Sequence, residues 1–317
     1  MSRSGRLTVL IGGLLLVAGA SAARDRGDTG PAQVALGRRL FHDADLSING
    51  TLSCATCHDP RHSFADGTRT HPGAHGEPGL RNVPSLLNVG RFTPLTWGNA
   101  GLVTLEQQAL VPLAGEDPVE MGMQGQEAEL ARRLGADPCY RKLFKAAFPQ
   151  ARGRIDFATV AGALAAFQRT IVSHDTAWDR AAAGGAPLTP TAARGEAVFR
   201  QRCATCHSGP DFTDLRFHRL PAMVPVPADG DFGLARASGR SEDRGRFRTP
   251  SLRNVTDTAP YLHDGSADTI AAAVARHAIA LPSLEQGDID AFLDALTDKA
   301  VTAAPRFSRP GRACLSS

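Results

Sequence analysis

The chain has almost no net charge and no long hydrophobic run. Setting aside residues 1–22, which contain Arg3 and Arg6, 33 basic side chains face 32 acidic ones. That balance argues against nucleic acid as a partner. The one extended apolar run, Leu7 to Ala18, has 12 residues, against the about 20 needed by a membrane-spanning helix. Preceded by two arginines and followed by Ala20-Ser21-Ala22, it reads as a cleaved export signal over residues 1–22. No later stretch is long enough to cross a bilayer. Alternating strand patterns are few, so the fold is expected to be mainly helical. Cysteine is scarce too, with six in 317 residues, and four of these fall in two identical motifs.

Those motifs are Cys54-Ala-Thr-Cys57-His58 and Cys203-Ala-Thr-Cys206-His207. Each offers two thiols that can form thioethers to one haem, and a histidine that can hold its iron. Zinc or thiol redox chemistry is the competing reading of a single copy. Two identical copies, each ending in His, point to two covalently attached haem c groups. Such attachment takes place outside the cytoplasm, which agrees with the export signal and predicts a periplasmic protein. Cys139 and Cys314 remain, and an oxidising compartment permits a disulfide between them, but sequence does not establish their proximity.

Each motif follows a short amphipathic segment with Gly and Phe four residues apart, Gly37 to Phe41 and Gly195 to Phe199. Each half then closes on a stripe of helical period: Val160, Leu164, Phe167 and Ile171 in one, Ile289, Phe292, Leu293 and Leu296 in the other. Helix, haem motif, long loop and closing helix make the cytochrome c plan, whose terminal helices cross at a glycine. Long Gly- and Pro-rich loops fit such a fold because a haem replaces part of the core. The breaker cluster Gly184-Gly185-Ala-Pro187 with Pro190 places a boundary between domains 23–185 and 186–317. The predicted fold is mainly α, with two cytochrome c-like domains each enclosing one haem.

With these motifs in place the chain resembles the bacterial dihaem cytochrome c peroxidase and MauG family. The resemblance rests on Leu36-Gly-Arg-Arg-Leu-Phe41, on Cys54 to Pro60 with Phe64-Ala-Asp-Gly67, and on Arg81-Asn-Val-Pro-Ser-Leu86. It continues through Pro118-Val-Glu-Met121, Thr249-Pro-Ser-Leu-Arg-Asn254 and Ala259-Pro-Tyr-Leu-His263. It implies that Trp97 sits between the haems and relays electrons, whereas Trp178 reads as a core residue. It implies that Glu120 and Gln108 serve the haem of His58, the carboxylate moving a proton between peroxide oxygens and the amide orienting them. Slight lengthening around these residues leaves Gln107 as a competitor of Gln108. Asn82, Thr258 and Pro260 match the family's calcium positions, with one side-chain oxygen and two backbone carbonyls for a hard cation.

The departure from the pattern concerns the sixth ligand of the second haem. Peroxidases of the family use Met there and MauG uses Tyr, within a helix after the Pro-Tyr-x-His segment. Counting from Thr269, that position here is His277. Met223, the only methionine after the second motif, lies 16 residues past His207, too near for the usual loop. At the first haem, Met121, His71 and His75 are alternatives to an open site.

Bis-histidine ligation favours ferric and higher oxidation states, so sharing of oxidising equivalents through Trp97 is favoured over storage of an electron. The segment Gly115 to Met121 also looks like MauG relatives found with copper-binding partners in methanobactin operons. The expected function is therefore a periplasmic dihaem oxidoreductase that uses hydrogen peroxide to oxidise a secreted, copper-binding partner protein, converting tryptophan to kynurenine. The alternatives are a cytochrome c peroxidase fed by a small redox protein, and a simple electron-transfer protein with two closed haems.

Overall fold

The computed structural model describes residues 30–221, 230–311 and 314; the export signal and Met223 lie outside the described residues. The helices in chain order are α1 (Pro31–Phe41), α2 (Cys54–Cys57), α3 (Leu105–Ala114), α4 (Glu127–Ala136), α5 (Pro138–Ala147) and α6 (Phe157–Gln168). They continue as α7 (Ala177–Ala182), α8 (Pro190–Arg202), α9 (Ala235–Ser238), α10 (Ile270–Arg276), α11 (Ser283–Asp294) and α12 (Lys299–Ala303). Among the described residues, extended structure is confined to isolated bridges and a two-stranded antiparallel ladder of β1 (Phe217–His218) with β2 (Phe247–Arg248). The molecule is mainly helical, as the scarcity of alternating patterns predicts.

Two crossed helix pairs organise it. Proline at the first position of α1 and of α8 suits a turn whose N–H groups lack partners. Asp156 caps α6 by accepting from the Thr159 N–H at 2.8 Å. α1 crosses α6 at Gly37, where a Cβ would strike the Ala163 carbonyl oxygen and lie 2.9 Å from the Phe167 Cβ. α8 crosses α11 at Gly195, where a Cβ would strike the Asp288 carbonyl oxygen and lie 2.9 Å from the Phe292 Cβ. Alanine at either glycine is expected to cost about 1–3 kcal/mol through overpacking, read as a lower denaturant midpoint. Wild-type midpoints in both variants would show that the helices can part freely.

The predicted stripes are buried in two apolar clusters. Val160, Leu164, Phe167 and Ile171 join Phe41 and Phe64 in the first; Ile289, Phe292, Leu293 and Leu296 join Phe199 and Phe212 in the second. Ile171 and Leu296 lie just past the ends of their helices yet are fully buried. Trp178, read from sequence as a core residue, is only partly buried and packs edge-on against Phe212 at the margin of the second cluster, with ring centres 4.8 Å apart. The end of the chain returns to the first cluster with Val301 and Phe307. There Cys314 is bonded to Cys139 on α5, with Cα atoms 5.4 Å apart.

A second repeat, not apparent from helical periodicity, joins the halves. Pro84-Ser-Leu-Leu-Asn88 and Pro250-Ser-Leu-Arg-Asn254 both end on a left-handed asparagine, with φ of 59° and 56°. Asn88 binds both backbone groups of Ser173, whose hydroxyl donates to Asn254 Oδ1 at 3.2 Å. The Asn254 amide in turn donates to Ser63 Oγ at 3.1 Å. Buried polar groups are tolerable when partnered in this way, and the chain of bonds fixes the two haem-motif loops relative to each other.

Candidate dihaem site

The two cysteine–histidine motifs adopt closely similar local structures. In both, the histidine N–H donates to the first cysteine's carbonyl, at 2.8 Å for His58 and 3.0 Å for His207. The ring Nδ1 of His58 lies 2.9 Å from the Phe64 carbonyl oxygen and that of His207 lies 3.1 Å from Phe212's. A carbonyl can only accept, so Nδ1 carries the proton and Nε2 keeps a free lone pair. Phe64 and Phe212 both have left-handed backbones, φ 61° and 52°. Burial disfavours the imidazolium in both rings and lowers His207 to about 4. Neutral rings with oriented lone pairs are what iron ligation requires.

Each motif opens on its own cavity. The first, about 460 Å³, is lined by Cys54, Cys57 and His58; the second, about 290 Å³, by Cys203, Cys206 and His207. His277 lines the second cavity as well. It stands at the C-cap of α10 rather than inside the helix, because Ala278 turns left-handed at φ 57°. Its Nδ1 is 2.8 Å from the Ala273 carbonyl oxygen, which leaves Nε2 free. The His207 and His277 ring centres are 6.2 Å apart. Two nitrogen–metal bonds of about 2 Å, plus the radii of two imidazoles, span roughly that distance. The residues therefore fit a haem held through both rings.

Glu120, Gln108, His71 and Met121 all line the first cavity. The Glu120 side chain is exposed at the cavity; desolvation by the surrounding protein raises its pKa, partly opposed by the charge of His71. Gln108 faces inward from α3. Gln107 instead closes the helix cap, its Oε1 accepting from the Val103 and Thr104 N–H groups at 3.3 and 3.2 Å. Met121 is buried in the first apolar cluster. The His71 ring is held by Asp66 at 3.0 Å, whereas His75 lies outside the cavity, beside Gly122.

Trp97 is buried in the wall common to both cavities, its Nε1 donating to the Asn82 carbonyl oxygen at 2.9 Å. Asn82, Thr258 and Pro260 all line the second cavity. The Asn82 amide nitrogen donates to the Thr68 and Arg69 carbonyls at 3.0 and 3.3 Å. Among the described residues, the group of three His, Cys and acidic side chains with metal-ligand spacing is Cys206, Asp214 and His218. Two lining residues escaped the sequence reading, Gln168 in the first cavity and Arg248 in both. Each is about 5% exposed. Nothing in their local sequence marks them, since only the fold gives their burial and direction.

Two helix-crossed halves, each presenting two cysteines and an oriented histidine to its own cavity, define a dihaem c-type protein. A family profile described as di-haem cytochrome c peroxidase matches residues 31–186. The methylamine utilization protein MauG of Methylorubrum extorquens is 38% identical over 76% of this chain and 67% of its own length. Cytochrome-c peroxidase IdrP1 of Denitromonas iodatirespirans is 33% identical over 84% of this chain and 81% of its own. A solved structure of a MauG-like protein associated with microbial copper homeostasis superposes with a TM-score of 0.83 at 38% identity, covering 89% of this chain and 93% of that one. The chain belongs to the dihaem cytochrome c peroxidase and MauG family. It is a peroxide-dependent dihaem oxidoreductase. No helix among the described residues is long and apolar enough to cross a membrane.

Proposed function

We propose that this chain uses hydrogen peroxide to oxidise a secreted copper-binding protein by long-range electron transfer, converting a tryptophan of that partner to kynurenine. The observation that carries the reading is the His207–His277 ring pair, 6.2 Å apart across the second cavity. Two imidazoles favour oxidised iron over a stored electron. The structural neighbour tied to copper homeostasis supports the choice of partner. In this reading residues 1–22 are the export signal, and domains 23–185 and 186–317 carry the peroxide-reacting and electron-transfer haems.

Cys54, Cys57 and His58 would hold one haem and Cys203, Cys206, His207 and His277 the other, and the two would supply single-electron redox chemistry and peroxide activation. Glu120 takes the proton from one peroxide oxygen and returns it to the other, so that water leaves. Gln108 orients the peroxide by hydrogen bonding. Trp97 carries electrons across the wall between the cavities, and the docked partner is the final donor. Asn82, Thr258 and Pro260 would contribute oxygen atoms to a calcium ion. Metal analysis of the purified protein checks that ion, and finding no calcium even after it is supplied would remove it.

The test of the function is peroxide addition with and without the copper-binding partner, followed by mass spectrometry of the partner. Oxidation of a partner tryptophan is expected with wild type and should be suppressed in Trp97→Phe, while the initial reaction with peroxide persists. Rapid turnover with a reduced small cytochrome and no covalent change in any candidate partner would favour the peroxidase reading instead.

A further inference from the structure

Among the described residues two arginines are buried almost completely, Arg253 at 4% exposure and Arg248 at 5%. Arg253 is neutralised by a two-pronged pair with Asp179, at 2.7 and 2.8 Å. Arg248 has no such partner: no carboxylate lies within 4.0 Å of its guanidinium among the described residues. Its hydrogen bonds are long ones to backbone carbonyls, from Nε to Thr96 at 3.3 Å and from one Nη to Thr249 at 3.4 Å. Most of its five N–H donors are left over. Burial alone pushes the group down to about 10, still far above neutral pH, so the side chain is a cation. A buried cation without a counter-charge is too costly to stand alone. The residue lies in the wall of both cavities, and its backbone N–H donates to the Trp97 carbonyl oxygen at 2.8 Å.

A haem c brings its own anions, the two propionate carboxylates, and planar forked donors match carboxylates well. We propose that Arg248 is the anion-binding residue shared by the two haems, its guanidinium pairing with propionate carboxylate at the wall between the cavities and its fixed charge holding both reduction potentials up together. The inference rests on both cavities holding haem and needs neither the peroxide chemistry nor the partner assigned above. Electrostatics gives the sign. A fixed positive charge favours the iron state with the extra electron, and removing it leaves an uncompensated carboxylate that favours the oxidised state.

The test is spectroelectrochemical titration of the two-haem protein, without peroxide or partner, for wild type, Arg248→Met and Arg248→Lys. Haem content per chain and the ferric spectrum are recorded in parallel. Both midpoint potentials are expected to shift downward in Arg248→Met and to stay near wild type in Arg248→Lys. Unchanged potentials in the Met variant, a shift confined to one haem, or an equal fall in the Lys variant would each overturn the proposal. Should the Met variant not accumulate, the Lys variant decides alone. Raising the pH until its buried ammonium loses a proton should lower both potentials relative to wild type, and parallel pH behaviour of the two proteins would overturn the proposal. A potential shift without loss of partner oxidation, or the reverse, separates this proposal from the functional one.

Discussion

In the His277→Ala variant, the second haem is expected to change from low-spin to high-spin while both haems remain covalently attached. The resting oxidised wild type should show one high-spin and one low-spin species by electron paramagnetic resonance. The variant should lose the low-spin signal entirely. The reason is geometric: the His277 Nδ1 is tied to the Ala273 carbonyl, leaving Nε2 to bind iron, and alanine offers no replacement. Attachment survives because the thioethers of Cys203 and Cys206 do not depend on that ligand. If the low-spin signal is untouched, His277 is not the ligand and the case for stabilised high oxidation states falls with it.

The Glu120→Gln variant is expected to slow the reaction with peroxide by about 10²–10⁴-fold, the usual worth of a positioned proton-transfer group. Glutamine keeps the shape and can still donate, but it cannot accept the peroxide proton. The pH dependence follows from desolvation of the carboxyl group by the cavity walls. Glu120 must be ionised to act as the base, and its pKa lies above the ordinary carboxylate value. The rate should therefore fall as pH drops through that raised value, and the acid limb should vanish in the glutamine variant. Stopped-flow mixing with peroxide across pH measures both effects. A rate that is unaltered by the substitution at every pH would exclude Glu120 from proton transfer.

The contrast between Gln107 and Gln108 shows where sequence reasoning runs out. Adjacent and chemically identical, they are separated by the direction of α3: the cap at Thr104 takes one, and the cavity takes the other. His71 and His75 divide in the same way, one held by Asp66 at the cavity wall and the other outside it.

What the sequence determined by itself is what lies in contiguous residues. Haem attachment needs Cys, Cys and His within one turn, so Cys54 to His58 and Cys203 to His207 are readable without a fold. The crossing glycines were readable too, because Gly37 and Gly195 keep a fixed spacing to a buried Phe within one helix. His277 and Trp97 were already assigned from residue counting and resemblance, and the fold added their distances and burial. The pairing of Cys139 with Cys314, and the burial of Arg248 with no carboxylate beside it among the described residues, were decided by tertiary structure alone. Each depends on segments far apart in the chain, and burial, distance and charge balance are properties of that assembly rather than of any local stretch.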